Sequence, residues 1–472
     1  MSKALVWIRR DIRTYDHPAL AKAIEENEHV YLCFIFDPDI IEPLKRKSTA
    51  DKRLQFIAES LVEFIENLPK KAGITIRYGE QTEEIPKLID ELKINALYFN
   101  RDYTPYARKR DKTITDLLKK KGVNVHSFKD IVIFEPEEIR KSDNDIYKVF
   151  TPYSKTWLAK FEILGRYIKP FNVQLEKLRN DIQTNVKTVK DMLDLIGLHS
   201  DPNLFPGGTK EALKRLRHFE QKINNYDYDR DFISKDATST LSVYIRHGCI
   251  SIRDMVNTAI KYESNGAFIW LKELIWREFY QMIAYEFPHV GQAPFKESYQ
   301  NLTYPGTEDY LKCWKEGQTG FPIIDAAMRC LNETGWMHNR LRMIVASFLS
   351  KILLVDWKRG ERYFSWKLID YEMPANNGGW QWSSGSGCDA APYFRIFNPT
   401  TQSKKFDPEG EFIRQWCPEL QLFNKHDIHC PSEAKRPPHH FKIGTNYPKP
   451  IVDYSLQRKR ALAFYANVYT ME

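Results

Sequence analysis

The chain has 472 residues, enough for two or three domains, and its 42% hydrophobic and 28% charged residues are the balance of an ordinary globular protein. Seven scattered cysteines with no C-x-x-C argue against a disulfide framework or a zinc site and fit a reducing compartment. No apolar stretch has the length of a signal peptide or a membrane span, so a cytoplasmic protein without membrane attachment is expected. The formal charge of +8 points only weakly to nucleic acid, while aromatics at 13% suit stacking on flat ligands and dense helical cores alike.

The first part alternates short apolar runs with helical patterns. Ala4-Leu5-Val6-Trp7-Ile8 reads as a buried strand, residues 18–26 as a helix and residues 29–36 as a second strand. Residues 51–68 carry apolar positions at helical spacing, and residues 74–78, 96–100 and 123–128 are further strands. This alternation predicts an α/β domain with a doubly wound parallel sheet over residues 1–130. No G-x-G-x-x-G follows the first strand, so a Rossmann-type oxidoreductase loses its main support. Arg9-Arg10-Asp11-Ile12-Arg13 follows instead, and spacing alone reads it as a solvated basic turn.

Residues 131–225 read as a linker with some helix, such as 211–219, broken by Pro202, Pro206, Gly207 and Gly208. Residues 226–472 are expected to form one helical domain, nearly all helix from Thr240 onward, broken by polar loops and by a surface loop over residues 429–450. Asp236-Ala237-Thr238-Ser239-Thr240-Leu241-Ser242 sets hydroxyls before a helical pattern, which suits an ordinary N-cap or an anion site. Trp270, Glu273, Arg277 and Tyr280 fall on one helical face, and charges inside an aromatic stripe argue against plain core. Trp336, Asn339, Arg340 and Met343, at i, i+3, i+4 and i+7, share a second helical face of the same kind. The run on to Arg395 mixes aromatics, amides and arginines as a pocket wall would. His439-His440 lacks ligand spacing, and no metal is expected.

"GWMHNRLRM", "NNGGWQW" and "APYFRIFNP", in that order, resemble the photolyase/cryptochrome family, most closely the class I cyclobutane pyrimidine dimer photolyases of bacteria. The likeness is gapless from Trp270 to Asp407 and weaker elsewhere, where the Arg9–Arg13 run resembles the family's R-x-D-L-R opening. It implies a C-terminal all-α domain that binds FAD and works with the reduced anion FADH−. It also implies light-driven repair of UV-damaged DNA, by electron transfer to a dimer flipped out of the helix. The alternative it leaves is a cryptochrome-like blue-light photoreceptor that repairs nothing.

Residue by residue, the resemblance places Thr238, Ser239, Thr240, Leu241 and Ser242 around the flavin pyrophosphate, with Tyr226, Trp270 and Arg277 as further contacts. Arg342 is expected to pair with Asp370 beside the ring, Tyr371 and Glu372 to line the ribose side, and Asn376 to face N5. Glu273, Trp276, Tyr280, Asn339, Met343 and Trp382 would meet the lesion, and Arg230, Arg340, Arg395 and Gln402 the phosphates. Glu273, Asn339, Met343 and Asn376 are the expected catalytic group. Neither Asn339 nor Met343 is the His of 6-4 photolyases, so a cyclobutane dimer is the expected lesion. Trp380 and Trp357 match two members of an electron-supply chain whose third, surface position falls on Tyr304. The antenna stays open between 5,10-methenyltetrahydrofolate and 8-hydroxy-5-deazaflavin, because Tyr106-Ala107 stands where folate-binding relatives have Asn-Glu and no carboxylate is visible there. A monomer is expected.

Overall fold

The computed structural model describes residues 2–201 and 204–469, so Pro202 lies outside the described residues. By packing, the chain forms two compact units. One comprises residues 2–147, 151–224 and 239–286, and the other residues 148–150, 225–238 and 287–469.

The first unit holds a five-stranded sheet in the order β3-β2-β1-β4-β5, every pairing parallel. The strands are β1 (Lys3–Ile8), β2 (His29–Phe36), β3 (Ile74–Tyr78), β4 (Ala96–Asn100) and β5 (Asn124–Phe128), so the strand reading held to within a residue at the ends. In β1, Leu5 and Trp7 join a core with Ile85, Leu88, Ile114 and Leu118 from two flanking helices. Ala4, Val6 and Ile8 on the opposite face are also fully buried. Burial on both faces is what a continuous apolar run means in a parallel sheet.

The solvated turn expected after β1 is corrected by the structure. Arg13 and Asp11 are buried. Arg9 Nη1 donates to Asp111 at 2.6 Å and Arg10 Nη1 to Asp102 at 3.0 Å. Arg13 and Arg253 each donate to Asp130 Oδ1 at 2.6 Å, and Arg253 Nε also donates to Asp16 at 2.7 Å. Burial alone would raise the Asp130 carboxyl, but Arg13 and Arg253 hold it well below the usual carboxylate range. The partners lie up to 237 positions away in sequence, so local spacing could not disclose them.

The helix Asn265–Glu286 belongs to this unit. Its buried Glu278 accepts from the Ile133 and Phe134 N–H groups at 2.7 and 3.0 Å and from Trp157 Nε1 at 2.6 Å. Burial pushes this carboxyl up to about 7, and the three donors limit the rise.

The second unit is built on helices around one apolar core that includes Trp314, Phe348, Trp357, Phe364 and Trp380. The helix Asn339–Ser347 runs into a π-turn at Phe348–Ile352, where the Leu353 N–H donates to the Phe348 carbonyl five residues back. Helix Trp357–Lys367 crosses helix Met373–Ser384 at Gly360, where an added Cβ would stand 2.1 Å from Trp380 Cη2. The bare backbone there is the seat of the Trp380 indole.

Candidate active site

In the first unit, Ser239 to Ser242 form a tight turn with Thr240 in the left-handed region at φ 53°. The Thr240 hydroxyl donates to the Ser239 carbonyl at 2.7 Å and accepts from Arg215 Nη1 at 2.9 Å. Arg215 arrives from the helix Thr209–Glu220, where Glu211 also holds it at 3.0 Å. Leu241 is buried, and Ser242 opens a short helix, Ser242–His247. The turn therefore gathers three hydroxyls and a guanidinium, a donor set suited to an anionic group. Sequence reading missed Arg215, which lies on another helix.

The 265–286 helix sets Trp270 against Phe219, with ring centroids 4.8 Å apart. Glu273, Trp276, Arg277 and Tyr280 on that helix are all half-buried. Trp276 and Tyr280 lie 5.5 Å apart, and Arg277 Nη1 donates to the Ile131 carbonyl at 2.6 Å.

In the second unit the helix 339–347 buries Leu341, Ile344 and Val345 and turns Asn339, Arg340, Arg342 and Met343 outward or partly outward. Its N-cap is His338, whose Nδ1 accepts from the Arg340 N–H at 3.1 Å. Burial, set against the Asp231 charge, brings this imidazole down to about 4, so it stands neutral near pH 7. His338 lies outside the site residues expected from the sequence. Its position directly before a helical pattern was the available signal.

Arg342 Nη2 donates to Asp370 Oδ2 at 2.7 Å, the pairing expected, while its Nε donates to the Met337 carbonyl at 2.8 Å. The other oxygen, Asp370 Oδ1, is buried and has no hydrogen-bond partner among the described residues. A buried carboxylate oxygen in that condition calls for a donor from elsewhere. Asn376 is tethered by Glu361: its Nδ2 donates to Glu361 Oε1 at 2.8 Å and to the Glu361 carbonyl at 3.2 Å. Both amide hydrogens are thus used, which leaves Asn376 Oδ1 as an acceptor. Behind it, Asn377 and Gln381 fix the helix by donating to the Val290 carbonyl at 2.8 and 3.2 Å. Glu361, Asn377 and Gln381 carried no signal separable from ordinary polar positions.

The remaining expected residues of this unit are dispersed. Arg340 is held in a fork by Asp231, at 3.1 and 2.7 Å, and lies over the Phe406 ring. Arg230 sits over the Tyr226 ring, 5.5 Å from its centroid. Asn339 Nδ2 lies 3.8 Å from Met343 Sδ. Thr238, Tyr371, Trp382 and Gln402 are half-buried, Glu372 is buried and Arg395 is exposed. Trp357 and Trp380 share the apolar core, and the Trp380 ring meets Phe364 at 5.1 Å and Trp314 at 5.9 Å. Tyr304, expected at the surface, instead has its hydroxyl buried and its ring 5.5 Å from Phe464. Burial and the Asp356 charge raise its phenol well above the ordinary value. The C-terminal helix Tyr454–Tyr469, which carries Phe464, makes the difference.

Near the expected antenna segment, the Tyr106 hydroxyl donates to Asp37 at 2.5 Å and to Asp39 at 3.4 Å. The carboxylates missing from that stretch of sequence are thus present in space.

A family model for the FAD-binding domain of DNA photolyase matches residues 270–467, and one for DNA photolyase matches residues 4–175. The chain is 38% identical to a deoxyribodipyrimidine photo-lyase of Alkalihalophilus pseudofirmus over 98% of its length and 97% of the relative's. Its fold is similar to a bacterial class III photolyase from Agrobacterium tumefaciens, with TM-score 0.87, 31% identity and coverage of 100% and 98% of the two chains. It is also similar to a Synechocystis cryptochrome, with TM-score 0.87, 26% identity and coverage of 98% and 99%.

Proposed function

The chain belongs to the DNA photolyase family, and from that premise we propose that it is a deoxyribodipyrimidine photo-lyase. It splits cyclobutane pyrimidine dimers in UV-damaged DNA, single- or double-stranded, under blue light. The observation that carries the site assignment is the Arg342–Asp370 pair with its one unpartnered buried oxygen.

The residues fit a flavin. Asp370 Oδ1 needs a donor such as a ring N–H, and the Ser239–Ser242 turn with Arg215 offers donors to a pyrophosphate. FAD in its reduced form, when bound, supplies an electron on excitation. Arg342 then holds a cation where it favours the anionic reduced form, with Asp370 fixing its direction. Asn376 offers its oxygen as an acceptor, because Glu361 occupies its amide hydrogens, and as a carboxamide it has no acidic proton to give. Its neutral amide favours a donor that stays reduced over one that cycles through protonation, which supports repair over signalling.

On the lesion side, Trp276, Trp382 and Met343 provide flat or soft apolar surface for unstacked bases, while Glu273 and Asn339 supply polar contacts. Arg230, Arg340, Arg395 and Gln402 hold phosphates and set position rather than sequence. Arg340 has to exchange Asp231 for a phosphate, or bind while still forked to it. Trp380, Trp357 and Tyr304 serve re-reduction of the cofactor. Residues 1–130 form the antenna domain, 131–225 the connection and 226–472 the catalytic domain. The antenna is 5,10-methenyltetrahydrofolate or 8-hydroxy-5-deazaflavin. Among the described residues no helix is long and apolar enough to cross a membrane and no His/Cys/Asp/Glu group could hold a metal. We assign the protein to the cytoplasm as a monomer.

The test is loss of thymine dimers from UV-irradiated DNA under blue light, with chemically reduced protein and a dark control. Light-dependent loss is expected. Dimers that persist, with the flavin demonstrably bound and reduced, overturn this reading in favour of a photoreceptor.

A further inference from the structure

Lys351 lies in the π-turn and is fully buried. Among the described residues no carboxylate stands within ion-pair distance of it. Its Nζ donates instead to the carbonyls of Pro392 and Arg395, at 3.3 and 3.2 Å. An ammonium taken out of water without a counter-ion costs several kcal/mol, so its burial calls for a structural return. The Pro392 carbonyl also accepts the Arg395 N–H at 2.9 Å. The ammonium therefore closes a small turn from both ends, and that turn carries the exposed Arg395 side chain. On the lysine's own side, the Tyr465 hydroxyl donates to the Ser350 carbonyl and Gln457 to the Ile352 carbonyl, so the base of the clamp is itself held.

We propose that Lys351 is a positioning residue for the DNA interface: its ammonium clamps the 392–395 turn and thereby presents Arg395 to a backbone phosphate beside the lesion. The inference rests on the photo-lyase reading above. A compact uncharged side chain at 351 would fill the space and leave the turn unclamped. The charged groups facing the ammonium are Arg395 and Lys296, both cations. Burial first, and then these two, lower Lys351 to about 8. The clamp is thus charged below that pH and weakens to a neutral amine as the pH rises through about 8.

The experiment uses the full flavin-loaded chain and an oligonucleotide with one thymine dimer. Lys351→Met is expected to weaken dimer binding roughly tenfold, the loss of a charge-assisted contact. Its repair yield at saturating DNA should keep the wild-type value. Lys351→Arg should recover part of the affinity. Combined with Arg395→Ala, Lys351→Met should add little, because both act on one contact. Unchanged affinity, full additivity with Arg395→Ala, or a loss of yield equal to the loss of affinity would each overturn the proposal. Should Lys351→Met not fold, the wild-type protein decides: its affinity should fall as the pH rises through about 8, and a flat profile across that pH overturns the clamp. A wild-type protein with no preference for dimer-containing DNA would instead overturn the photo-lyase reading itself.

Discussion

Arg13 and Arg253 share Asp130 and Asp16 in the sheet-bearing unit, and neither aspartate is left with a stranded buried oxygen. In the helical unit Arg342 donates to one oxygen of Asp370, and the other has no partner among the described residues. The groups are the same and all three carboxylates are buried, but only Asp370 keeps an unpartnered acceptor; in the first cluster the unused group is a donor, Arg13 Nε. A carboxylate whose oxygens are taken up within the fold serves the fold, while a buried one with an open acceptor suits a donor not yet bound.

That contrast can be broken at either end. Arg253→Met should have the largest effect, leaving Asp16 and Asp130 underpaired and costing about 3–5 kcal/mol of stability by denaturant unfolding. The Asp130 carboxyl is lower in the folded chain than its ordinary 3.8, so its contribution holds above that pH and is lost as the pH falls. The acid limb of the wild-type stability curve should therefore flatten in the variant. A loss below about 1 kcal/mol would mean the first cluster is no more structural than a surface pair.

Gly360→Ala acts on the helical unit through packing alone. Its Cβ meets Trp380, so a loss of about 1–3 kcal/mol and an altered Trp380 fluorescence are expected. Asp370→Asn should leave unfolding stability nearly unchanged while flavin affinity falls about tenfold, a loss of about 1.4 kcal/mol, measured by flavin release. A large stability loss with intact flavin affinity would invert the contrast. Glu278→Gln bears on a pH slope rather than on a loss at one pH. The folded carboxyl is raised from 4.5 to about 7, so the wild-type protein loses stability as the pH rises across that interval. The variant should lack this slope.

The sheet was legible because a buried parallel strand must be apolar through its middle, and β1, β2 and β4 are, with polar residues only at one end of each. The Arg342–Asp370 pair came from resemblance, since a separation of 28 positions hides it from any local rule. The Arg9–Arg13 turn was misread for the same reason, its carboxylates standing on distant segments. Tyr304 is half-buried with a covered hydroxyl because the helix carrying Phe464 begins 150 residues later. Lys351 was invisible because it bonds carbonyls, which every residue type carries. A tether such as Glu361 to Asn376 has a sequence signature no different from an ordinary helix surface.

The π-turn at Phe348–Ile352 carries one residue more than a regular helix would need. Deleting Phe348, Leu349 or Ser350 lets an unbroken α-helix form, with the side chains that follow rotated by roughly 100° about the axis. Lys351 would then swing away from the carbonyls it caps, although every amino acid near it stayed the same. The length of this segment, more than its composition, is the property that cannot drift.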